Sequence, residues 1–332
     1  MRGFVVIMPR MSLELMAANL DLQGRADRVA HQEPETLRAQ AVRAARDRDE
    51  TELWMITEAF MVLRGGRGAR VSHGTLEQYR TGLKVFLEWS GGAGVSLLRP
   101  GANMGFRYAR YLEGLGLAPS TVRVRLAAAR ALYAALRWTL ATEYAPFTDV
   151  KAAHDPVPRW EKRKPYPPED VARLLAVAGP QEAVIVVLGA HAGLRATEMT
   201  TVLRKDIHLD EREPYLVVTG KGQKRQEVAL SRTATHVLRR WLDATPGYGP
   251  HLLSLRTKRS VENTLQKACA AAGVRYGGRE VHGLRHHAGT EIYVQTSDIL
   301  AVRDQLRHRT VDSSEIYVNY ARAGKKKAVS DW

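Results

Sequence analysis

The feature that most constrains this chain is an 18-residue stretch, 151–168, with five prolines, five lysines or arginines and few aliphatic side chains. Proline fixes φ and lacks an amide donor, so neither a helix nor a central strand is expected to run through it. The stretch reads as an extended, basic connector between two folded parts. Length agrees, because 332 residues exceed what one core usually holds. The expected division is an N-terminal extension over 1–48, a first domain over 49–150, the connector over 151–168 and a second domain over 169–332.

Before the connector, apolar residues recur with helical spacing. Leu53, Ile56, Phe60, Met61 and Leu63 form one stripe that stops at Gly65-Gly66. Ser72 opens a second helix, with Leu76, Tyr79, Leu83, Phe86 and Leu87 on one face and Gly91-Gly92 at its end. A third fits 106–115. Pro119-Ser120-Thr121 begins a fourth, with Ser120 as its expected cap and Val122, Leu126, Ala129, Leu132 and Leu136 as its stripe. These four predict a compact all-α domain. In the Arg- and Ala-rich extension a helix is expected over 35–49, loosely attached and without catalytic residues.

After the connector, helices are expected over 169–177, 181–192, 197–203, 233–242, 259–272, 284–294, 299–306 and 313–320. The exception is a small sheet. Residues 214–219 and 226–230 are β-rich and joined by the turn Gly220-Lys221-Gly222-Gln223-Lys224, with 206–209 as a candidate third strand.

Composition narrows the partners. Lysine and arginine number 50 against 35 acidic residues, a formal +15, and both halves are basic. Such a field favours a polyanion, either nucleic acid or an anionic membrane face. The apolar runs 4–8 and 184–188 are far shorter than the ~20 residues of a membrane helix, so a soluble cytoplasmic protein is expected. Cys269 is the only cysteine, which excludes an intrachain disulfide framework and a clustered-cysteine zinc site. His282 and His286 stand at i,i+4, yet no HExxH or EF-hand loop accompanies them, and neither GxxxxGK[ST] nor GxGxxG occurs. No metal, ATP or other cofactor is expected.

The second half instead carries cations and imidazoles on separate elements. Arg195 follows the Gly193 break, with Glu198 three residues on and able to hold its guanidinium. Lys221 stands at the hairpin tip. His282 and Arg285 are at i,i+3, on one face if helical; His308 follows a helix, and Tyr317 lies nine residues beyond. Singly, each has an ordinary structural reading: a salt-bridged arginine, a solubilising turn lysine, a packed tyrosine ring. Their order carries the argument.

Residues 193–317 resemble the catalytic domain of the tyrosine recombinase (phage integrase) family, nearest to the Xer-type recombinases. The matching segments are GLRATE, VVTGKGQKRQEVALS, VHGLRHHAGTEIY and LRHRTVDSSEIYVNY. Upstream, SHGTLEQYRTGLKVFLEW and LAPSTVRVRLAAARALYAAL resemble the family's four-helix, SAM-like core-binding domain. The implied fold is mainly α, with that domain followed by a mixed α+β catalytic domain holding a small antiparallel sheet. The resemblance implies Tyr317 as nucleophile, Arg195 and Arg285 as clamps on the scissile phosphate, Lys221 as general acid, and His282 and His308 in proton transfer and phosphate binding. Physical chemistry supports these roles. Two guanidiniums can grip non-bridging oxygens and stabilise a pentavalent transition state, and a phenol needs a base and a cationic pocket to attack near neutral pH. The link formed would be a 3′-phosphotyrosine, made without metal or ATP.

Further DNA contacts expected from the resemblance or from basic surface are Thr257, Lys258 and Arg259 at a helix start, Arg123 and Arg130 on the fourth helix, and Lys224 and Arg225 beside the hairpin. The implied partner is double-stranded DNA bearing a recombination site. A homo-tetramer on two duplexes is implied, with or without a second recombinase or a DNA translocase, and the tail 321–332 would dock into a neighbouring protomer. Two departures from the family pattern bear on the site. Arg307 stands where the family often has glycine, placing a further cation near the phosphate, and Tyr320 is a rival nucleophile. The expected function is site-specific recombination of Xer-like type, resolving chromosome or plasmid dimers. Integration of a mobile element, a type IB topoisomerase and a non-catalytic DNA-binding protein are the alternatives.

Overall fold

The computed structural model describes residues 13–220 and 225–322, and two compact units divide within the connector, at Pro156 and Val157.

The first unit contains six α-helices among the described residues. The four expected ones are α3 (Glu50–Leu63), α4 (His73–Gly92), α5 (Met104–Gly114) and α6 (Pro119–Trp138). Asp49 caps α3 by accepting from the amides of Thr51 and Glu52, and Ser72 caps α4 through the Thr75 amide. At α6 the expectation needs correcting, because the N-cap is Ala118 and Pro119 is the first helical residue. A proline there has the right φ and loses no hydrogen bond, so Ser120 falls inside the first turn. Helices α4 and α6 pack closely because Gly82 lacks a side chain; a Cβ there would lie 2.5 Å from that of Ala128. Phe86 anchors the core, meeting the rings of Tyr108 at 5.0 Å and Phe147 at 5.6 Å.

The extension departs from its reading as a loose appendage. Helix α1 (Leu13–Ala30), which was not expected, and α2 (Pro34–Asp47) both bury side chains in the same core. Leu22, Ala26 and Val29 line one face of α1, and Leu37, Ala41, Ala44 and Ala45 one face of α2. Short alanine side chains gave little hydropathy contrast along the sequence, yet they allow close helix approach.

The connector also departs from a purely extended form. Pro158 precedes a single helical turn, α7 (Arg159–Lys162), a position where proline forfeits nothing. Beyond it the backbone joins the second unit. The amides of Lys164 and Tyr166 donate to the carbonyls of Gly278 and Gly283, and Tyr166 is fully buried.

In the second unit, α8 (Pro168–Val177) and α9 (Pro180–Ala190) lead in, and α9 is buried continuously from Val184 to Ala190. It forms a central post against α11 (Arg232–Ala244), α12 (Lys258–Ala271) and α13 (Glu280–Thr296). The sheet is three-stranded and antiparallel in the order β1 (Ile207–His208), β2 (Tyr215–Thr219), β3 (Arg225–Ala229), with Leu216 opposite Val228. Two helices differ from expectation. Helix α10 is a single turn (Ala196–Met199) because Val202 and Arg204 bond instead to Leu252 and Pro250. Helix α13 begins four residues early and runs straight through Gly283. A Cβ at Gly283 would press on the Lys164 carbonyl and the Tyr166 ring, each 3.0 Å away, so this glycine admits the connector rather than ending the helix. Helices α14 (Ile299–Leu306) and α15 (Glu315–Arg322) complete the unit.

Candidate active site

The site is built where α9 ends, α13 passes and α14 and α15 close over. After α9 the chain turns through Gly193 at φ +66°, where a Cβ would stand 2.2 Å from a methyl of Leu306. Both constraints require glycine. The turn sets Arg195 as the residue before α10. Its backbone amide donates to Glu198 Oε2 at 2.8 Å and its Nη1 to Glu198 Oε1 at 2.7 Å, the pairing expected from the i,i+3 spacing. Glu198 is buried while the Arg195 side chain is 43% exposed. The carboxylate therefore anchors a guanidinium that still faces outward.

Arg285, on α13, is the largest fully buried side chain among the described residues. It donates to the carbonyls of Gly193 and Leu306, which fixes it between the turn and the end of α14. Burial, and then the charge of Arg195, push its pKa down to about 9, so it remains a cation at neutral pH. Burial alone would raise the Glu198 carboxyl. Arg307, the Arg195 amide, Arg195 and Arg285 outweigh it and hold the group below its ordinary value.

Tyr317 projects from α15 into this region and is 1% exposed. Its ring lies parallel to His308 at 5.9 Å and tilted to His286 at 5.7 Å. The room for it comes from Gly289 on α13, where a Cβ would lie 2.5 Å from Cε1 of Tyr317. Burial pushes the phenol up to about 12, against the lowering influence of Arg285 and Arg195. His308 is oriented by a 2.8 Å contact between Nδ1 and the buried Ser314 hydroxyl. His282 meets His286 edge to face at 4.4 Å. Burial first, then neighbouring guanidiniums, push His282 down to about 4 and His308 to about 3. Both imidazoles are neutral at pH 7 and can accept a proton.

Of the residues singled out in the sequence, Arg195, His282, Arg285, His308 and Tyr317 are gathered by the fold into one electrostatically connected group. Lys221 and Lys224 lie outside the described residues, as does the tail beyond Arg322. Arg307 does not extend a free cation toward a phosphate, because its side chain is 2% exposed and pairs with Glu198. The Tyr320 hydroxyl donates to the Arg163 carbonyl, so the rival nucleophile is engaged by backbone. Gly289 and Ser314 went unnoticed in the sequence. A lone glycine inside a helical pattern was the available signal for the first.

The expected DNA contacts divide. Arg123 and Arg259 are exposed, Thr257 caps α12 through the Ser260 amide, and Lys258 pairs with Glu262 at 3.2 Å. Arg225 pairs with Asp206 at 2.6 Å. Arg130 turns inward, donating to the carbonyls of Phe147 and Val150 in the irregular stretch after α6. Among the described residues no group of three or more His, Cys, Asp or Glu is arranged to hold a metal ion, and no helix is long and apolar enough to cross a membrane.

Comparison with known proteins gives a concordant result. The sequence profile of the Phage integrase family matches residues 167–323, and that of the Phage integrase, N-terminal SAM-like domain, matches 67–139. Tyrosine recombinase XerD of Xanthomonas axonopodis pv. citri (strain 306) is 27% identical over 280 residues, covering 77% of this chain and 90% of its own. Tyrosine recombinase XerA of Thermococcus kodakarensis is 26% identical over 268 residues, covering 76% and 89%. In fold, the chain is similar to the XerH site-specific recombinase bound to palindromic difH substrate in a post-cleavage complex. The TM-score is 0.66 at 17% identity, with 93% of each chain covered.

Proposed function

Since this chain belongs to the phage integrase family, as an Xer-type tyrosine recombinase that cleaves and rejoins DNA at specific sites, we propose that Tyr317 is its nucleophile and that cleavage passes through a 3′-phosphotyrosyl link. The observation that carries this reading is the placement of a buried phenol within the field of Arg285 and Arg195, its ring against His308.

In the proposed reaction Arg195 and Arg285 take the non-bridging oxygens of the scissile phosphate. Their charge stabilises the additional negative charge of the pentavalent transition state. The Tyr317 oxygen bonds to phosphorus while its proton passes to neutral His282, and His308 steadies the phosphate. The P–O5′ bond breaks, and the departing 5′-oxygen takes a proton from Lys221. Rejoining reverses these steps on a new 5′-hydroxyl, conserving the phosphodiester energy. The raised phenol pKa and lowered imidazole pKa describe a site at rest; an incoming phosphate brings the negative charge that favours a protonated His282.

On the larger scale we propose that the core-binding part, 49–150, and the catalytic part, 169–332, each hold the duplex, with 151–168 as the connector. Arg123, Arg259 and the Thr257–Lys258 helix start are proposed phosphate contacts. Four protomers on two duplexes would exchange strands, in the cytoplasm, to resolve chromosome or plasmid dimers. The names of the XerD and XerA relatives support the tyrosine recombinase part of this reading.

The test uses a nicked duplex whose sequence the protein has selected from a random library. Incubation without metal or ATP should give an SDS-resistant adduct that Tyr317→Phe abolishes and Tyr320→Phe retains. Tight binding with no adduct on any selected duplex would overturn the catalytic reading.

A further inference from the structure

Three guanidiniums share one carboxylate in this site, and the third comes from a residue whose backbone is unfavourable for it. Arg307 closes α14 at φ +57°, a conformation glycine adopts freely and a residue with a Cβ resists. Its side chain is almost completely buried, with Nε left without a hydrogen-bond partner, an arrangement that costs desolvation. In return, Nη2 donates to Glu198 Oε2 at 2.8 Å and Nη1 to the Gln305 carbonyl at 2.8 Å.

The effect on Glu198 is specific. Oε1 accepts from Nη1 of Arg195, while Oε2 accepts from both the Arg195 amide and Nη2 of Arg307. Removing Arg307 would leave the carboxylate hydrogen-bonded only by Arg195, the half-exposed residue it is meant to orient. With Arg307 present, the carboxylate plane is fixed from the interior side, and Arg285 lies 3.9 Å from Oε2.

We propose that Arg307 is a positioning residue for strand cleavage, locking Glu198 so that Arg195 presents its guanidinium to the scissile phosphate. Arg307 itself lies behind Glu198 and is not a phosphate ligand. The inference rests on the reading of the site given above. Glu198 is faced by Arg195 from the start of α10, Arg285 from α13 and Arg307 from the end of α14, and each favours its ionised form.

The test measures single-turnover cleavage of the selected nicked duplex by the full-length protein, with DNA affinity and melting temperature in parallel. Arg307→Gly should fold, since glycine relieves the backbone, and should bind DNA as the wild type does. Its cleavage rate should fall about tenfold, the scale of one charge-assisted hydrogen bond. Arg307→Lys, which keeps the charge without the fork, should recover part of the loss. In a Glu198→Gln background Arg307→Gly should have no further effect. The acid limb of the rate should move to higher pH in Arg307→Gly, because a Glu198 relieved of one cation protonates earlier as pH falls. Wild-type rate and pH profile in Arg307→Gly, or an undiminished loss in the Glu198→Gln background, would overturn the positioning role while leaving the cleavage reading intact. Absence of cleavage by the wild type would strike that reading itself.

Discussion

The proposed nucleophile, Tyr317, is buried, and a ring so enclosed needs room more than it needs neighbours; Gly289 provides that room. Placing a Cβ 2.5 Å from Cε1 and 2.6 Å from Cζ of Tyr317 must move one of them. Gly289→Ala should therefore lower the cleavage rate by ~100-fold with DNA affinity unchanged, since small misplacement of a reacting group is costly; an unchanged rate would show that α15 yields freely. The histidines make a second prediction. His282, His286 and His308 have folded pKa values of about 4, 3 and 3, below the ordinary 6.5, chiefly through burial. The unfolded chain then binds more protons between pH 4 and 6.5, so stability rises with pH across that window and is lost as pH falls through it. Each such histidine contributes up to ~1.4 kcal/mol per pH unit. Urea midpoints measured at pH 7.0 and 5.0 should differ clearly in that direction, and equal midpoints would mean that the imidazoles are solvated.

At the level of elements, two arginines on α6 that look alike in sequence should behave differently. Arg130 is bonded to the carbonyls of Phe147 and Val150, whereas Arg123 is exposed. Arg130→Ala should cost ~1–3 kcal/mol of stability by taking a charged donor from the Phe147 and Val150 carbonyls, with little change in the salt dependence of DNA binding. Arg123→Ala should leave stability alone and reduce the slope of log K against log salt by about 1. Denaturation and binding titrations at several salt concentrations separate the two; the reverse pattern would exchange their roles. Why sequence could not tell them apart is physical. Helical periodicity shows which face carries charge, but not which carbonyls a later loop brings beneath that face. The same limit explains α10 and α13. The expected helix over 197–203 stops at Met199 because the backbone near Pro250 claims the residues after it, and the helix expected over 284–294 begins earlier, at Glu280, running through a Gly283 on which the connector packs.

At the level of the molecule, strongly periodic elements were legible: α3 to α6 follow from their apolar stripes, and α9 and the antiparallel pairing of β2 with β3 stand where they were expected. The fold also gathers Arg195, His282, Arg285, His308 and Tyr317, whose order along the chain singled them out, into one group, and their catalytic roles stand as proposed above. The alanine-faced helices α1 and α2 were not legible as core, since alanine gives weak contrast yet packs closely. Nor was the burial of Arg307, which depends on the meeting of α10 and the end of α14. The chain's +15 formal charge belongs to this scale too, and DNA affinity should fall steeply as salt rises from 50 to 200 mM, by about 10³-fold or more if six or more phosphates are neutralised. A shallow slope would point to recognition led by few phosphates.

The most direct test of the central claim is the identity of the residue joined to DNA. The adduct formed on the selected nicked duplex, digested with nuclease and trypsin, should yield one peptide from the segment after Arg309, carrying a nucleotide. Fragment ions should place the 3′-phosphate on Tyr317. A nucleotide on Tyr320, or on any residue outside α15, would contradict the account.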